Sequence, residues 1–148
     1  MKFKGSKTAT LFGFLLLLPL AHAQVSQSIQ GNVPFNFHVG STVLSAGKYT
    51  VHSLRSGSVV LQIQSSEAKG KGVMSLSIPV QANSGTNAKL VFHRYGSIYF
   101  LSQVWPGNGL NTGSQFTPSK AERAIAHQMA AARRPHNMEL ASVAFTVR

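Results

Sequence analysis

The chain offers few side chains for acid–base or nucleophilic chemistry. It contains no Asp, and its three carboxylate side chains are Glu67, Glu122 and Glu139. A Ser-His-Asp triad is therefore impossible, and a glutamate variant would need a carboxylate that orients the histidine. None of the three glutamates lies in a predicted strand-to-helix elbow. Only Glu139 and His93 remain as an acid–base pair, and they could act together only within one cleft.

Two Ser-x-x-Lys spacings, at residues 45–48 and 66–69, lie in turn or loop sequence rather than at the start of a helix. That spacing supports catalysis only where a helix places both side chains on one face. Glu122 is explained by helix capping and Glu67 as a loop charge. We therefore predict that the chain is not an enzyme and has no catalytic residue.

Metal and cofactor sites are also poorly supported. The absence of Cys excludes thiolate ligands and disulfides. His38 and His52 are predicted at outward positions of neighbouring strands, where they could approach each other across a sheet face. Two imidazoles without a carboxylate suit Zn²⁺ badly and Cu²⁺ or Ni²⁺ weakly. No glycine-rich phosphate cradle is present, and we predict neither a metal nor a cofactor.

One stretch combines aromatic, β-branched and basic residues more densely than the rest of the chain. Residues 89–95 and 98–105 predict the two strands of a β-hairpin, and Gly96 supplies the turn between them. The stretch contains the candidate binding surface, which consists of His93, Arg94, Tyr95 and Tyr99. Strand aromatics more often belong to a core, so the hairpin is also a candidate centre of the core.

The remaining elements are predicted from hydrophobic periodicity. Six or seven short strands with turn signals between them favour a mainly β domain, either an antiparallel β-sandwich or a small β-barrel. Ser119 and Glu122 form a capping box that begins a helix at about 119–134. A final strand is predicted at about 140–147, where apolar residues alternate.

The first 23 residues have the three parts of a secretory signal peptide. Three lysines precede an apolar run that is too short for a lasting membrane anchor, and Ala-His-Ala ends at Ala23. Cleavage is therefore predicted between Ala23 and Gln24. We expect export by the general secretory route to a periplasmic or extracellular location, with residues 24–148 forming one β-rich domain.

The charge balance is strongly basic, with 14 Lys and Arg side chains against three glutamates. Without the three lysines of the signal peptide, 11 basic side chains remain and the formal charge is +8. This charge favours anionic envelope polymers or lipids as partners. No nucleic-acid partner is expected, because export separates the chain from nucleic acid, and no transmembrane helix is predicted.

Several segments together resemble a family of small secreted bacterial proteins of unassigned function. They are Asn-Val-Pro-Phe-Asn-Phe-His-Val-Gly (32–40), Leu-Ser-Ala-Gly-Lys-Tyr-Thr-Val (44–51), Lys-Leu-Val-Phe-His-Arg-Tyr-Gly (89–96), Tyr-Phe-Leu-Ser (99–102) and Ser-Lys-Ala-Glu-Arg (119–123). The resemblance implies a β-rich fold and secretion, and it brings no catalytic residues.

Export and basicity together predict a non-catalytic binding or structural module of the cell envelope that contacts an anionic glycan or lipid. Two alternatives remain open. The chain could be a small-ligand carrier with a cavity inside a barrel, or an outer-membrane β-barrel whose strands are short for that role.

Overall fold

The computed structural model describes residues 28–53, 59–67, 71–107, 109, 111–132 and 138–148. The predicted signal peptide (1–23) and its cleavage site at Ala23 and Gln24 lie outside the described residues. The described residues form twelve strands and one helix, in the order β1 (Ser28–Val33), β2 (Phe37–Val39), β3 (Thr42–Leu44), β4 (Gly47–Ser53), β5 (Val60–Ser65), β6 (Gly72–Leu76), β7 (Ile78–Gln81), β8 (Lys89–Tyr95), β9 (Ile98–Trp105), β10 (Thr112–Gln115), α1 (Lys120–Ala131), β11 (Glu139–Ala144) and β12 (Thr146–Val147).

The strands form two sheets, which confirms the predicted mainly β fold and selects its sandwich alternative. One sheet has the order β12-β1-β4-β5-β6, and the other has the order β11-β8-β9-β10-β7, with β2 paired to β9 and β3 paired to β2. Period-2 alternation gives each sheet an apolar inner face. Phe37, Phe92 and Ile63 are fully buried in the shared core.

The predicted hairpin is confirmed over its whole length as β8 and β9. Gly96 lies at its turn with φ +64°, a left-handed conformation that glycine adopts without steric cost. The pairing is interrupted by a β-bulge: Val91 pairs with Gln103, whereas Phe92 pairs with Leu101. Ser102 is therefore the extra residue on β9. Bulges of this kind redirect a side chain locally.

The C-terminal helix is also confirmed, with somewhat different limits. It runs from Lys120 to Ala131, and Ser119 is its N-cap. The Ser119 hydroxyl accepts a hydrogen bond from the backbone N–H of Glu122 at 3.1 Å. Glu122 is the buried residue of this helix. The predicted last turn at 133–134 lies outside the described residues.

The predicted final strand at 140–147 is two strands in different sheets. β11 pairs with β8, β12 pairs with β1, and Phe145 lies between them. Phe145 is buried, and its N–H donates to the carbonyl of Ala88 at 2.8 Å. Its ring occupies the space above Gly31, where a Cβ would lie 2.5 Å from Phe145 Cδ2. The alternating apolar pattern at 140–147 therefore continues unbroken through the point where the chain crosses from one sheet to the other.

A similar crossing explains an exposed apolar stripe. The alternating segment at 74–80 is divided between β6 and β7, which are in different sheets. Ser77 lies buried between the two strands and bonds to the carbonyl of Val59, whereas Met74, Leu76 and Ile78 are exposed. Alternation predicted the extended backbone here, but the polar residue, not the apolar ones, faces inward at the crossing.

Candidate functional site

Three polar side chains from separate parts of the sequence meet on the outer face of the larger sheet. His93 comes from β8, Ser102 from the bulge of β9, and Glu122 from the first turn of α1. Neighbouring strands of a hairpin place cross-strand side chains close together on one face. The N-cap at Ser119 fixes the first helical turn, so the Glu122 side chain is held above that face.

The three side chains form a continuous hydrogen-bond relay. His93 Nδ1 lies 2.6 Å from Glu122 Oε1, and His93 Nε2 lies 2.9 Å from Ser102 Oγ. The first distance is that of a short, charge-assisted hydrogen bond. The relay thus joins β9, β8 and α1 through one imidazole ring.

Tyr95 supplies a further hydrogen bond to the carboxylate. Its hydroxyl donates to Glu122 Oε1 at 3.2 Å. Burial raises the pKa of the Tyr95 hydroxyl above its ordinary value of 10.0, and the neighbouring charge and hydrogen bond of Glu122 raise it further. These effects keep the phenol protonated, and hence a donor, across the neutral range.

The protons of the relay follow from its partners. An ionised Glu122 carboxylate can only accept, so Nδ1 carries the hydrogen of their bond. In a neutral imidazole the other nitrogen then has a free lone pair, and Nε2 accepts from the Ser102 hydroxyl. The Ser102 oxygen is thereby polarised by a base whose orientation is fixed by a carboxylate.

Burial differs along the relay. Ser102 and Glu122 are 3% and 5% exposed, whereas the side chain of His93 is 18% exposed. Since a buried carboxylate without partners would cost several kcal/mol, its contacts with His93 and Tyr95 are needed for the helix to dock. The relay meets solvent at the imidazole.

The four residues of the predicted binding surface divide between two faces of the hairpin. His93 and Tyr95 point toward α1, as described above. Arg94 and Tyr99 lie on the other face: the guanidinium is 5.7 Å from the centre of the Tyr99 ring, which in turn stacks on Phe35 at 3.8 Å. The four side chains therefore do not form one contiguous surface.

The acid–base pair suggested by the sequence is arranged differently in the structure. Glu139 bonds to Arg94 Nη1 at 3.2 Å, and both side chains are well exposed. The carboxylate that reaches His93 is instead that of Glu122, which sequence reasoning assigned to capping alone. Ser102 had no sequence signal, because a single serine within an apolar strand is unremarkable without its neighbours in space.

The predicted pairing of the strands that carry His38 and His52 is wrong, and the two side chains belong to different sheets. His38 belongs to β2 in the larger sheet, where its ring stacks on Phe100 at 4.6 Å. His52 belongs to β4 in the five-stranded sheet. The error came from pairing β2 with β4, although the chain changes sheet between β1 and β2. Within the described ranges, no three or more His, Asp or Glu side chains are grouped to hold a metal ion.

A second surface of interest is the outer face of the five-stranded sheet. Gln30, Thr50 and Gln64 form one row of amide and hydroxyl side chains in register. A second row is mixed: His52 is in register with Gln62, and Gln62 with the exposed Met74 of β6. At the β12 side of this face is an open hollow of about 220 Å³. It is lined by Gln30, Gly31, Asn32, Lys48 and Thr146.

The hollow is basic. Lys48 is exposed on its wall, and Arg148 reaches its edge, where Nη1 lies 3.4 Å from Gln30 Oε1. None of the lining residues is acidic. Glu122 is buried and Glu139 pairs with Arg94 on the other sheet, so neither offsets this charge. The third glutamate, Glu67, lies close to β4, because the backbone N–H of Ser66 donates to the carbonyl of Lys48.

Across the described part of the chain, no helix is long and apolar enough to cross a membrane. Comparisons with family models, with curated proteins and with solved structures find no match.

Proposed function

We propose that the protein is an exported binding module of the cell envelope that contacts an anionic glycan through the outer face of its five-stranded sheet. The observation that carries the proposal is the basic hollow beside a row of amide and hydroxyl groups. The signal-peptide pattern at 1–23 supports export, and the cleaved chain would act in the periplasm or outside the cell.

The chemistry of this face suits a polysaccharide better than a lipid surface. Asn and Gln side chains each offer donors and an acceptor, which match the hydroxyl groups of a sugar chain. Lys48 and Arg148 supply positive charge for carboxylate or sulfate groups, and arginine can bind such groups with two parallel hydrogen bonds. The hollow has no large apolar side chain in its lining, whereas a membrane-surface site buries apolar area. The exposed Met74 and Leu76 of the same sheet lie on β6, at the edge opposite β12.

Binding to polygalacturonate, with neutral dextran as the comparison polymer, tests the proposal at an ionic strength of about 0.15 M, where long-range attraction between exposed charges is screened. We expect retention on the acidic polymer and none on dextran. The double variant Lys48→Gln/Arg148→Gln should weaken binding about 2- to 30-fold, since an exposed ion pair contributes roughly 0.2–1 kcal/mol.

The matched control is Lys120→Gln/Arg123→Gln, which removes the same charge from exposed positions on α1. It should leave most of the affinity intact. An equal loss in both variants would show that net charge, not this face, attracts the polymer. Absence of binding by the unmodified protein would refute the proposal.

A further inference from the structure

The Ser102–His93–Glu122 relay has the connectivity of a nucleophile, a general base and an orienting carboxylate. The serine hydroxyl is within hydrogen-bond distance of one imidazole nitrogen, and the carboxylate holds the other. Such arrangements are recognised by geometry and roles rather than by the order of residues in the chain. Here the order is histidine, serine, glutamate.

Three features of the surroundings fit this assignment. The carboxylate is buried and receives a second hydrogen bond from Tyr95, which fixes its orientation. Ser102 is the extra residue of a β-bulge, a feature often found beside active sites because it redirects a side chain. The imidazole is the most exposed member, so protons can be exchanged with solvent there.

We propose that Ser102 is a nucleophile for acyl transfer from small esters, with His93 as its general base and Glu122 as the residue that positions the imidazole. This goes beyond the binding role proposed above and differs from the expectation that the chain is not an enzyme. That expectation required a glutamate in a strand-to-helix elbow. The structure supplies the carboxylate from a helix start and the serine from a bulge.

The reaction balances without a metal or an oxidant. Ser102 Oγ forms a bond to the ester carbonyl carbon while its proton moves to His93 Nε2. The bond from that carbon to the alcohol oxygen then breaks, and Nε2 returns the proton to the departing oxygen. Water repeats the sequence on the acyl-serine, so that one ester and one water give one carboxylic acid and one alcohol. Because Ser102 is only 3% exposed, the proposal is limited to small acyl groups such as acetyl.

The test is acetylation of the folded full chain by p-nitrophenyl acetate, mapped by peptide mass spectrometry. We expect acetyl on Ser102 and release of p-nitrophenol, with a rate that falls in acid, where a protonated imidazole cannot accept the hydroxyl proton. His93→Gln should lower the rate at Ser102 at least about 100-fold, the lower end of what a general base contributes.

Ser77 is the matched control, because it is also a buried serine but lies between β6 and β7 and bonds to a backbone carbonyl instead of a histidine. It should remain unmodified, and Ser77→Ala should leave the modification of Ser102 unchanged. Ser102→Ala should abolish the Ser102 acetyl peptide and its share of p-nitrophenol release.

Three results would overturn the proposal: no acetyl on Ser102, equal acetylation of Ser77, or an unchanged rate in folded His93→Gln. If His93→Gln does not fold, a pH-independent rate at Ser102 in the unmodified protein overturns it equally. The relay would then serve only to dock α1. Polymer binding uses the other sheet, so either proposal can fail without affecting the other.

Discussion

Replacement of Glu122 tests how much the relay contributes to folding. Glu122→Ala leaves the Nδ1 hydrogen of His93 and the hydroxyl of Tyr95 without their acceptor. Each unsatisfied buried donor costs about 1–3 kcal/mol. Two donors lose their acceptor, so we expect the free energy of unfolding to fall by about 2–6 kcal/mol.

Glu122→Gln separates charge from shape. The amide oxygen can still accept both hydrogen bonds, but a bond to a charged group contributes about 1 kcal/mol more than a neutral bond. With two such bonds, the expected loss is about 2 kcal/mol. The backbone N–H of residue 122 still donates to Ser119 in both variants, so the N-cap is retained.

Glu139→Gln is the matched control. Its carboxylate also pairs with a basic side chain at 3.2 Å, but its own side chain is 61% exposed. Exposed pairs of this kind contribute about 0–1 kcal/mol. Urea unfolding followed by the fluorescence of Trp105, the one tryptophan of the chain, gives all three values by linear extrapolation. A loss in Glu122→Ala no larger than that in Glu139→Gln would refute the role given to the buried carboxylate.

Alkaline pH should destabilise the fold through its buried tyrosines. The pKa values of Tyr95 and Tyr49 are raised above 10.0 by burial and then by nearby glutamate charges. Because the folded state holds these protons more tightly, their stabilisation is complete below about pH 10 and is lost as pH rises through the folded pKa values. The urea midpoint of unfolding should therefore fall as the pH rises above 10, and it should fall less steeply in Tyr95→Phe. An equally steep fall in Tyr95→Phe would contradict the assignment of this pH dependence to Tyr95. Separately, Gly31→Ala should lower stability by about 1–3 kcal/mol, since its Cβ would overlap the Phe145 ring. In thermal unfolding, the double variant with Phe145→Leu should recover part of the melting temperature that Gly31→Ala loses. Equal melting temperatures for Gly31→Ala and the unmodified protein would disprove the overlap.

Local sequence signals predicted those elements whose partners are close in the chain. The hairpin was predictable because a turn glycine separates two apolar strands, which then pair in the simplest way. The helix start was predictable because Ser119 and Glu122 have capping-box spacing. In both cases a few neighbouring residues are enough to determine the local structure.

Crossings between sheets were not predictable from periodicity. Alternation reports an extended backbone, but it does not report which sheet a strand joins. The continuous pattern at 140–147 therefore concealed the crossing at Phe145, and the same reason explains the wrong pairing of the strand of His38 with the strand of His52. A chain segment that crosses from one sheet to the other keeps its alternation of apolar residues, although the strands with which it pairs change.

The relay was not predictable for a related reason. Ser102 reaches His93 because of a bulge in β9, and the position of that bulge depends on the register of the whole β8–β9 pair. Glu122 reaches them only because α1 packs on the outer face of the sheet. The capping signal correctly placed the backbone of Glu122. It did not reveal that the side chain bonds to the sheet instead of returning to its own helix.

The proton positions on His93 test the central claim most directly. Correlation of imidazole nitrogen and proton resonances in labelled protein reports which ring nitrogen carries hydrogen in the neutral state. We expect hydrogen on Nδ1, facing Glu122, and a free lone pair on Nε2, facing Ser102, with this pattern lost in Glu122→Ala. A neutral ring with hydrogen on Nε2 would contradict the relay, because Ser102 would then face a donor and could not be activated.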